Sequence, residues 1–293
     1  MDNTGPQGGQ PHKPVQWMIR GLFLQYLYQL SDPQLEDQLI DRLSFRRFAG
    51  LPLDQAVPDF STFWRFREAL ATRGLLEELF GEVNRQLAAK GLLLKQGTVV
   101  DATLINSTGR PLSEEKRAEL DESPSSQIDT DADSTKKGGR YYFGYKGHIG
   151  VDVGSKLIRK IAFTPASPHD STVLEELVSE DERALFGDEA YARKALKQTA
   201  RQQGWYYGIL DKATRGTALS AAQKKRNKRH QRVRAQVEHP FAAIKDRYGM
   251  RWARAKTKVR NQARFVMAAI CWNIERSITW AKKRPDIIPA GAI

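Results

Sequence analysis

Thr98-Val99-Val100-Asp101-Ala102-Thr103-Leu104-Ile105 is the stretch from which the rest of the chain can be read. Its β-branched and apolar residues predict a buried strand. One acid, Asp101, interrupts it near its end. A carboxylate there costs free energy unless it is paired or bound to a cation. A second short apolar run, Ala184 to Gly187, ends in the same way at Asp188. A Gly-Asp pair is also an ordinary turn element, so Asp188 alone is ambiguous. Two acids at the ends of two strands in one domain support each other.

Strand and helix patterns alternate outward from this point. Tyr141–Val153 and Leu157–Thr164 read as a hairpin turned at Gly154-Ser155. A helix is expected from Asp170 or Ser171 through Val173, Leu174 and Leu177. Ala192–Gln203 follows as a helix and Trp205–Leu210 as a strand. The basic stretch Lys224–Arg234 leads into a helix reaching about Tyr248, and a last helix covers about 261–281. The order predicts a mixed α/β domain over 95–281 with a sheet covered by helices. Residues 106–139 are polar and hold Pro124, Ser125, Ser126 and Gly138-Gly139, so they read as an exposed, mobile insertion.

Upstream, residues 15–94 read as an all-helical domain. Met18, Leu22, Tyr26 and Leu30 mark one helix. Asp32 is its successor's expected N-cap, with Pro33 at the first helical position. That second helix runs to about Phe48 through Leu35, Leu39 and Leu43, and Gly50 ends it. Pro58-Asp59-Phe60-Ser61-Thr62 opens a third helix, and Leu75 to Lys90 forms a fourth. Two short helices with Arg46, Arg47, Arg65 and Arg67 nearby fit a helix-turn-helix that contacts DNA. A bundle used for dimerisation fits the same pattern. Residues 1–14 are rich in Gly, Pro and Gln and read as disordered; 282–293 read as a tail.

The 293 residues carry a formal net charge of +13. That excess suits a polyanion, and nucleic acid is the commonest; a membrane surface or a plain basic surface are the alternatives. One cysteine, Cys271, excludes an internal disulfide and fits a reducing cytoplasm. No secretory leader and no run of the roughly 20 apolar residues that a membrane span needs can be discerned.

A third acid is Glu238. Arg234 precedes it by four residues and Lys245 follows by seven. On a continuous α-helix, at about 100° per residue, the three lie within roughly 60° of one another. An Arg–Glu pair on a solvated face would look the same, but His239-Pro240 should disturb a plain surface helix.

Asp101-Ala102-Thr103, Gly187-Asp188-Glu189-Ala190-Tyr191 and Arg234-x3-Glu238-x6-Lys245 together resemble the signature of bacterial insertion-sequence transposases of the Asp-Asp-Glu (DDE) class. The match is to the insertion sequence five family. Pro58-Asp59-x-Ser61-Thr62-x3-Phe66-Arg67 is similar to the family's N-terminal helical region. The resemblance covers about residues 15–280. It implies an RNase H-like catalytic domain, with Asp101, Asp188 and Glu238 as catalytic residues holding two Mg²⁺ or Mn²⁺ ions. Such ions clamp the attacking and leaving oxygens of an in-line displacement. Water would cut the element's end, and the freed 3′-hydroxyl would then attack target DNA. The family often has Tyr three positions before the arginine; here it is Gln231.

The resemblance makes double-stranded DNA the partner, and acting on two ends implies a homodimer or higher oligomer on it. A bacterial cytoplasm with the nucleoid is the expected location. Arg234, Lys245 and Gln231 would hold phosphates near the scissile bond. Lys224, Lys225, Arg226, Lys228 and Arg229 would contact the backbone without reading sequence, although such runs are often only solvated. Arg65 and Arg67 are the expected N-terminal contacts. His148 and His169 lack zinc spacing, and Trp205, Tyr206 and Tyr207 fit core packing better than base stacking. A nuclease without strand transfer shares the same metal site. A DNA-binding regulator with a dead domain is disfavoured by the three acids and two cations.

Overall fold

The computed structural model describes residues 12–283 apart from 124, 126, 180 and 215. Most of the expected disordered start, and residues 284–293 of the expected tail, lie outside the described residues. The chain divides into two compact units, Met1–Leu76 and Glu77–Ile293.

The first unit is all-helical: α1 (Val15–Leu27), α2 (Asp32–Asp41), α3 (Leu43–Ala49) and α4 (Phe60–Thr72). Met18, Leu22, Leu35, Leu39 and Phe63 form its buried interior. The expected second helix is two, because Arg42 adopts an extended conformation between them (φ −99, ψ 110). Ser31, not Asp32, is the N-cap of α2. Its side chain accepts from Gln34 N, and the Gln34 side chain answers at the Ser31 N–H. Asp32 is thereby left for a tertiary role: it pairs with Arg67 at 2.6 Å.

Helix α5 (Leu75–Ala89) lies almost wholly in the second unit. Leu87 and Val83 pack with Leu157 and Ala281. The division into compact units thus falls at 76/77, ahead of the expected domain boundary at 94/95, because α5 packs its apolar side in the second unit.

The second unit is a seven-stranded mixed sheet with helices. Its strands are β1 (Thr98–Ser107), β2 (Asp133–Lys137), β3 (Arg140–Asp152), β4 (Ile158–Pro165), β5 (Ala184–Gly187), β6 (Tyr206–Ile209) and β7 (Trp252–Ala253). The helices are α6 (Glu114–Glu122), α7 (Leu174–Leu177), α8 (Lys194–Gln203), α9 (Ala221–Arg234), α10 (Glu238–Ala242) and α11 (Lys258–Lys282). The order β2-β3-β1-β5-β6 holds β1 at the centre, antiparallel to β3 and parallel to β5. On one face Val100 packs with Leu174, Leu177 and Ala200. On the other, Phe265 of α11 lies against Phe163.

Residues 106–139 are more ordered than their composition suggests. They hold the end of β1, helix α6 capped by Ser113, and edge strand β2 paired to β3. Polar Asp133–Lys137 has no apolar alternation to announce a strand; its pairing with β3 makes it one.

One edge of β1 is forked. Thr98 and Val99 pair with β5, whereas Asn106 and Ser107 pair with β7. Among the described residues the edge between them, 100–105, has no strand partner. Thr98 anchors the start of this fork: its hydroxyl bonds to Glu182 at 2.8 Å and accepts from Arg159 Nη1 at 2.8 Å.

Candidate active site

Asp101 enters the site where β5 leaves β1. Val99 pairs with Phe186, so continuing that register by two residues sets Asp101 opposite Asp188. Gly187 permits this closeness, since a Cβ there would meet Val100 Cγ2 and Ile209 Cδ1 at 2.9 Å. The two acids are near enough for the charge of Asp188 to raise the pKa of Asp101. Burial is the larger cause of that rise, and Arg234 opposes it.

The partners of each carboxylate are specific. Asp101 Oδ1 accepts from its neighbour Ala102 N at 2.8 Å, and Oδ2 accepts from Arg234 Nη2 at 3.0 Å. The Asp101 and Arg234 side chains are each 21% exposed. Asp188 caps a 3₁₀ turn, Glu189–Tyr191, accepting from Ala190 N at 2.9 Å. The Gly-Asp turn and the acid pair thus coexist in one residue.

The helix expected to reach Tyr248, with a disturbance at His239-Pro240, changes type three times. After α9 come a 3₁₀ turn (Ala235–Val237), α10, and a π-helical turn (Ala243–Arg247). Pro240 falls in the first turn of α10, where its missing N–H costs little. A 3₁₀ segment advances about 120° per residue, so three such residues rotate Glu238 roughly 60° from its place on a continuous α-helix. The three-residue stripe is accordingly not formed. Arg234 meets Asp101, Glu238 is exposed, and Lys245 lies beside Leu104 and Asn106 farther along β1. Lys245 is partly buried, and burial lowers its pKa, with Arg251 and Lys137 adding repulsion.

Among the described residues, no three Asp, Glu, His or Cys side chains lie close enough together to hold a metal ion. Asp101 and Asp188 nonetheless fit a hard divalent cation. They are oxygen donors in mutual repulsion at a half-buried place, which is the donor set such ions select. Glu238 is not yet gathered to them.

Gln231 is exposed near the end of α9. Lys224, Lys225, Lys228 and Arg229 are exposed on the same helix. Arg226 differs, since its guanidinium is held by Asp211. In the first unit Arg67 is committed to Asp32 by two bonds of 2.6 and 2.8 Å. Arg65 is exposed and bonds Ser61 at 2.7 Å.

A neighbour of the acids that sequence reasoning gave no role is Tyr191. Tyr191 is fully buried, and its hydroxyl has no hydrogen-bond partner among the described residues. Burial and the charges of Asp170, Asp101 and Asp188 raise its pKa. Its spacing of three after Asp188 was the available signal.

Residues 93–274 match the family model described as a transposase DDE domain, and residues 1–69 match one described as a transposase domain (DUF772). No solved structure matches the chain significantly. No helix of the described residues is long and apolar enough to cross a membrane. The mixed sheet with its helices is the RNase H-like fold of such domains. With more than half its length matched, the chain belongs to the DDE transposases of the insertion-sequence kind, metal-dependent enzymes that cut and transfer DNA.

Proposed function

We propose that this transposase binds the terminal inverted repeats of its insertion sequence, cuts their ends and joins them to target DNA. The observation that carries this is the juxtaposition of Asp101, which lies within β1 and not at its expected end, with Asp188, just past the end of the parallel neighbour β5, and with Arg234 as counter-ion. Asp101, Asp188 and Glu238 would hold two Mg²⁺ or Mn²⁺ ions. Divalent ions there supply charge stabilisation for the attacking and leaving oxygens of the phosphodiester. Glu238 follows Arg234 by one helical turn, across the 3₁₀ turn Ala235–Val237.

The protein's own residues position the DNA. With a cation held by Asp101, the Arg234 guanidinium, now bonded to that acid, would be free to take a phosphate. Lys245 and Gln231 extend that contact, and the exposed cations of α9 hold the backbone beyond. In the first unit, Arg65 is the better placed of the two arginines for DNA, because Arg67 is internally paired. The motifs favour the insertion sequence five family, and two element ends call for a homodimer or higher oligomer. The bacterial cytoplasm, with the nucleoid, is the setting that supplies the substrate.

The test incubates the full chain with DNA bearing the element's terminal repeats and Mg²⁺, and reads cleaved and joined strands. Wild type should give joined products without a protein adduct. Asp101→Ala, Asp188→Ala and Glu238→Ala should each give none while still binding DNA. Cleavage without joining would reassign the chain as a nuclease, and full activity in any of the three variants would remove that residue from the site.

A further inference from the structure

The β2–β3 hairpin ends in Lys136, Lys137, Gly138, Gly139, Arg140 and Tyr141, all exposed. The two glycines have φ of +56 and +81, the left-handed pair that a two-residue type I′ turn needs. The tip is therefore short. Tyr141 is 77% exposed, and the Lys136 ammonium sits 5.1 Å from its ring centre. Lysines on an edge ribbon also guard against aggregation, so the tip alone identifies no ligand.

The recess near it is more specific. Leu104, Asn106, Lys245, Arg251 and Trp252 line a cavity of about 140 Å³. Pairing of Asn106 with Trp252 fixes its floor at the far end of β1. Trp252 is 47% exposed, although it is a large apolar ring. Arg251 and Lys137 are each close enough to Lys245 to repel its charge. The acid beside them, Asp246, is bonded to Arg251 at 2.6 Å. Positive charge thus exceeds negative in a recess walled by an indole. Phosphate answers the charge, and a nucleobase answers the indole. A base inside a duplex offers no free face to stack on, so the matching occupant is an unpaired one.

We infer that this recess binds one unpaired nucleotide of the DNA strand leaving the active site, base on Trp252 and phosphate at Lys245, Arg251 and Lys137. The β2–β3 tip holds the backbone of the duplex beyond. Asn106 lies five residues past Asp101, roughly 17 Å along an extended strand, which sets the nucleotide a short distance from the cleavage point. The inference rests on the transposase reading for the polymer being DNA; Lys245 is shared with the phosphate contacts proposed above, and Trp252, Arg251 and Lys137 add the nucleotide site to them.

The full chain is tested in EDTA, so that no strand is cut. Fluorescence anisotropy compares a short blunt duplex with the same duplex carrying a single-stranded thymidine overhang. Wild type should prefer the overhang. Trp252→Ala should lose about tenfold in overhang affinity with duplex binding kept, and Trp252→Phe should retain most of the preference. Lys137→Gln and Arg140→Gln should weaken both probes and lower the salt slope by about one each. Equal overhang affinity in wild type and Trp252→Ala, or no overhang preference in wild type, overturns the nucleotide site while the transposase reading stands. Unchanged duplex binding in both hairpin variants overturns the role of the tip. A wild type that binds neither probe overturns both readings.

Discussion

Arg234 Nη2 donates to Asp101 Oδ2 at 3.0 Å, giving the buried acid of the site a guanidinium as its counter-ion. A divalent cation would answer the same charge, so the two compete for one carboxylate. Arg234→Gln should therefore destabilise the metal-free protein by roughly 1–3 kcal/mol, the usual cost of an uncompensated buried charge partner. Mn²⁺ should restore more stability to this variant than it adds to wild type. Thermal melts in EDTA and in Mn²⁺ measure both. Equal Mn²⁺ stabilisation of the two proteins would mean that guanidinium and cation do not share Asp101.

Glu238 gives a contrasting expectation. It is exposed and makes no packing contribution comparable to that of Asp101. Glu238→Ala should change the unfolding midpoint in EDTA by no more than about 0.5 kcal/mol, the range of ordinary surface substitutions. Its cleavage activity should nevertheless fall at least about 100-fold. A large stability loss together with the activity loss would give Glu238 a structural role instead.

These two residues also show where the sequence could be read and where it could not. Asp101 was legible because an acid in a run such as Val99-Val100 has few structural uses, and Asp188 because it repeats the pattern. Glu238 and Lys245 were legible as a motif but not as geometry. A 3₁₀ turn separates Glu238 from Arg234 and a π turn carries Lys245, whereas residue periodicity assumes one helix type throughout. Trp252–Ala253 is too short to carry a strand signal. The Arg67–Asp32 bond joins residues 35 apart in sequence, beyond the reach of any local pattern.

Burial holds His148 down to about 4 from an ordinary 6.5. Asp170 pushes its pKa up and Lys146 pushes it down; Nε2 meets the Thr164 hydroxyl at 3.0 Å and Nδ1 has no partner among the described residues. Its native pKa lies below its unfolded one. The unfolded chain therefore takes up a proton first, and stability that is complete above about pH 6.5 declines as the pH falls towards 4. His148→Gln should flatten that decline by up to about 3 kcal/mol. Urea midpoints at about pH 7 and about pH 4.5 measure it. Equal acid sensitivity in variant and wild type would place the titration elsewhere.

Arg67 and Arg65 share one helix yet should behave differently. Arg67 makes a two-bond pair with Asp32, both side chains about one-fifth exposed. Arg67→Ala strands the Asp32 carboxylate and should lower stability by about 1–3 kcal/mol. Arg65→Ala should leave stability within about 0.5 kcal/mol and weaken DNA binding. The reverse pattern would make Arg67 the DNA contact.

The exposed cations of α9 should act through salt dependence. Each phosphate neutralised contributes about 0.9 to the slope of log affinity against log salt. Replacing Lys224, Lys225, Lys228 and Arg229 by Gln one at a time should lower that slope stepwise, without favouring any DNA sequence. Arg226 should not follow the series. Asp211 holds its guanidinium, and Asn227 bonds the Asp211 carbonyl at 3.0 Å, so this pair fastens α9 to the loop after β6. Arg226→Gln should reduce stability and affinity while changing the slope least of the five. Anisotropy titrations over a range of salt concentrations separate the two classes. A slope indifferent to the four exposed residues would make that face of α9 merely solvated and move the DNA path elsewhere on the domain.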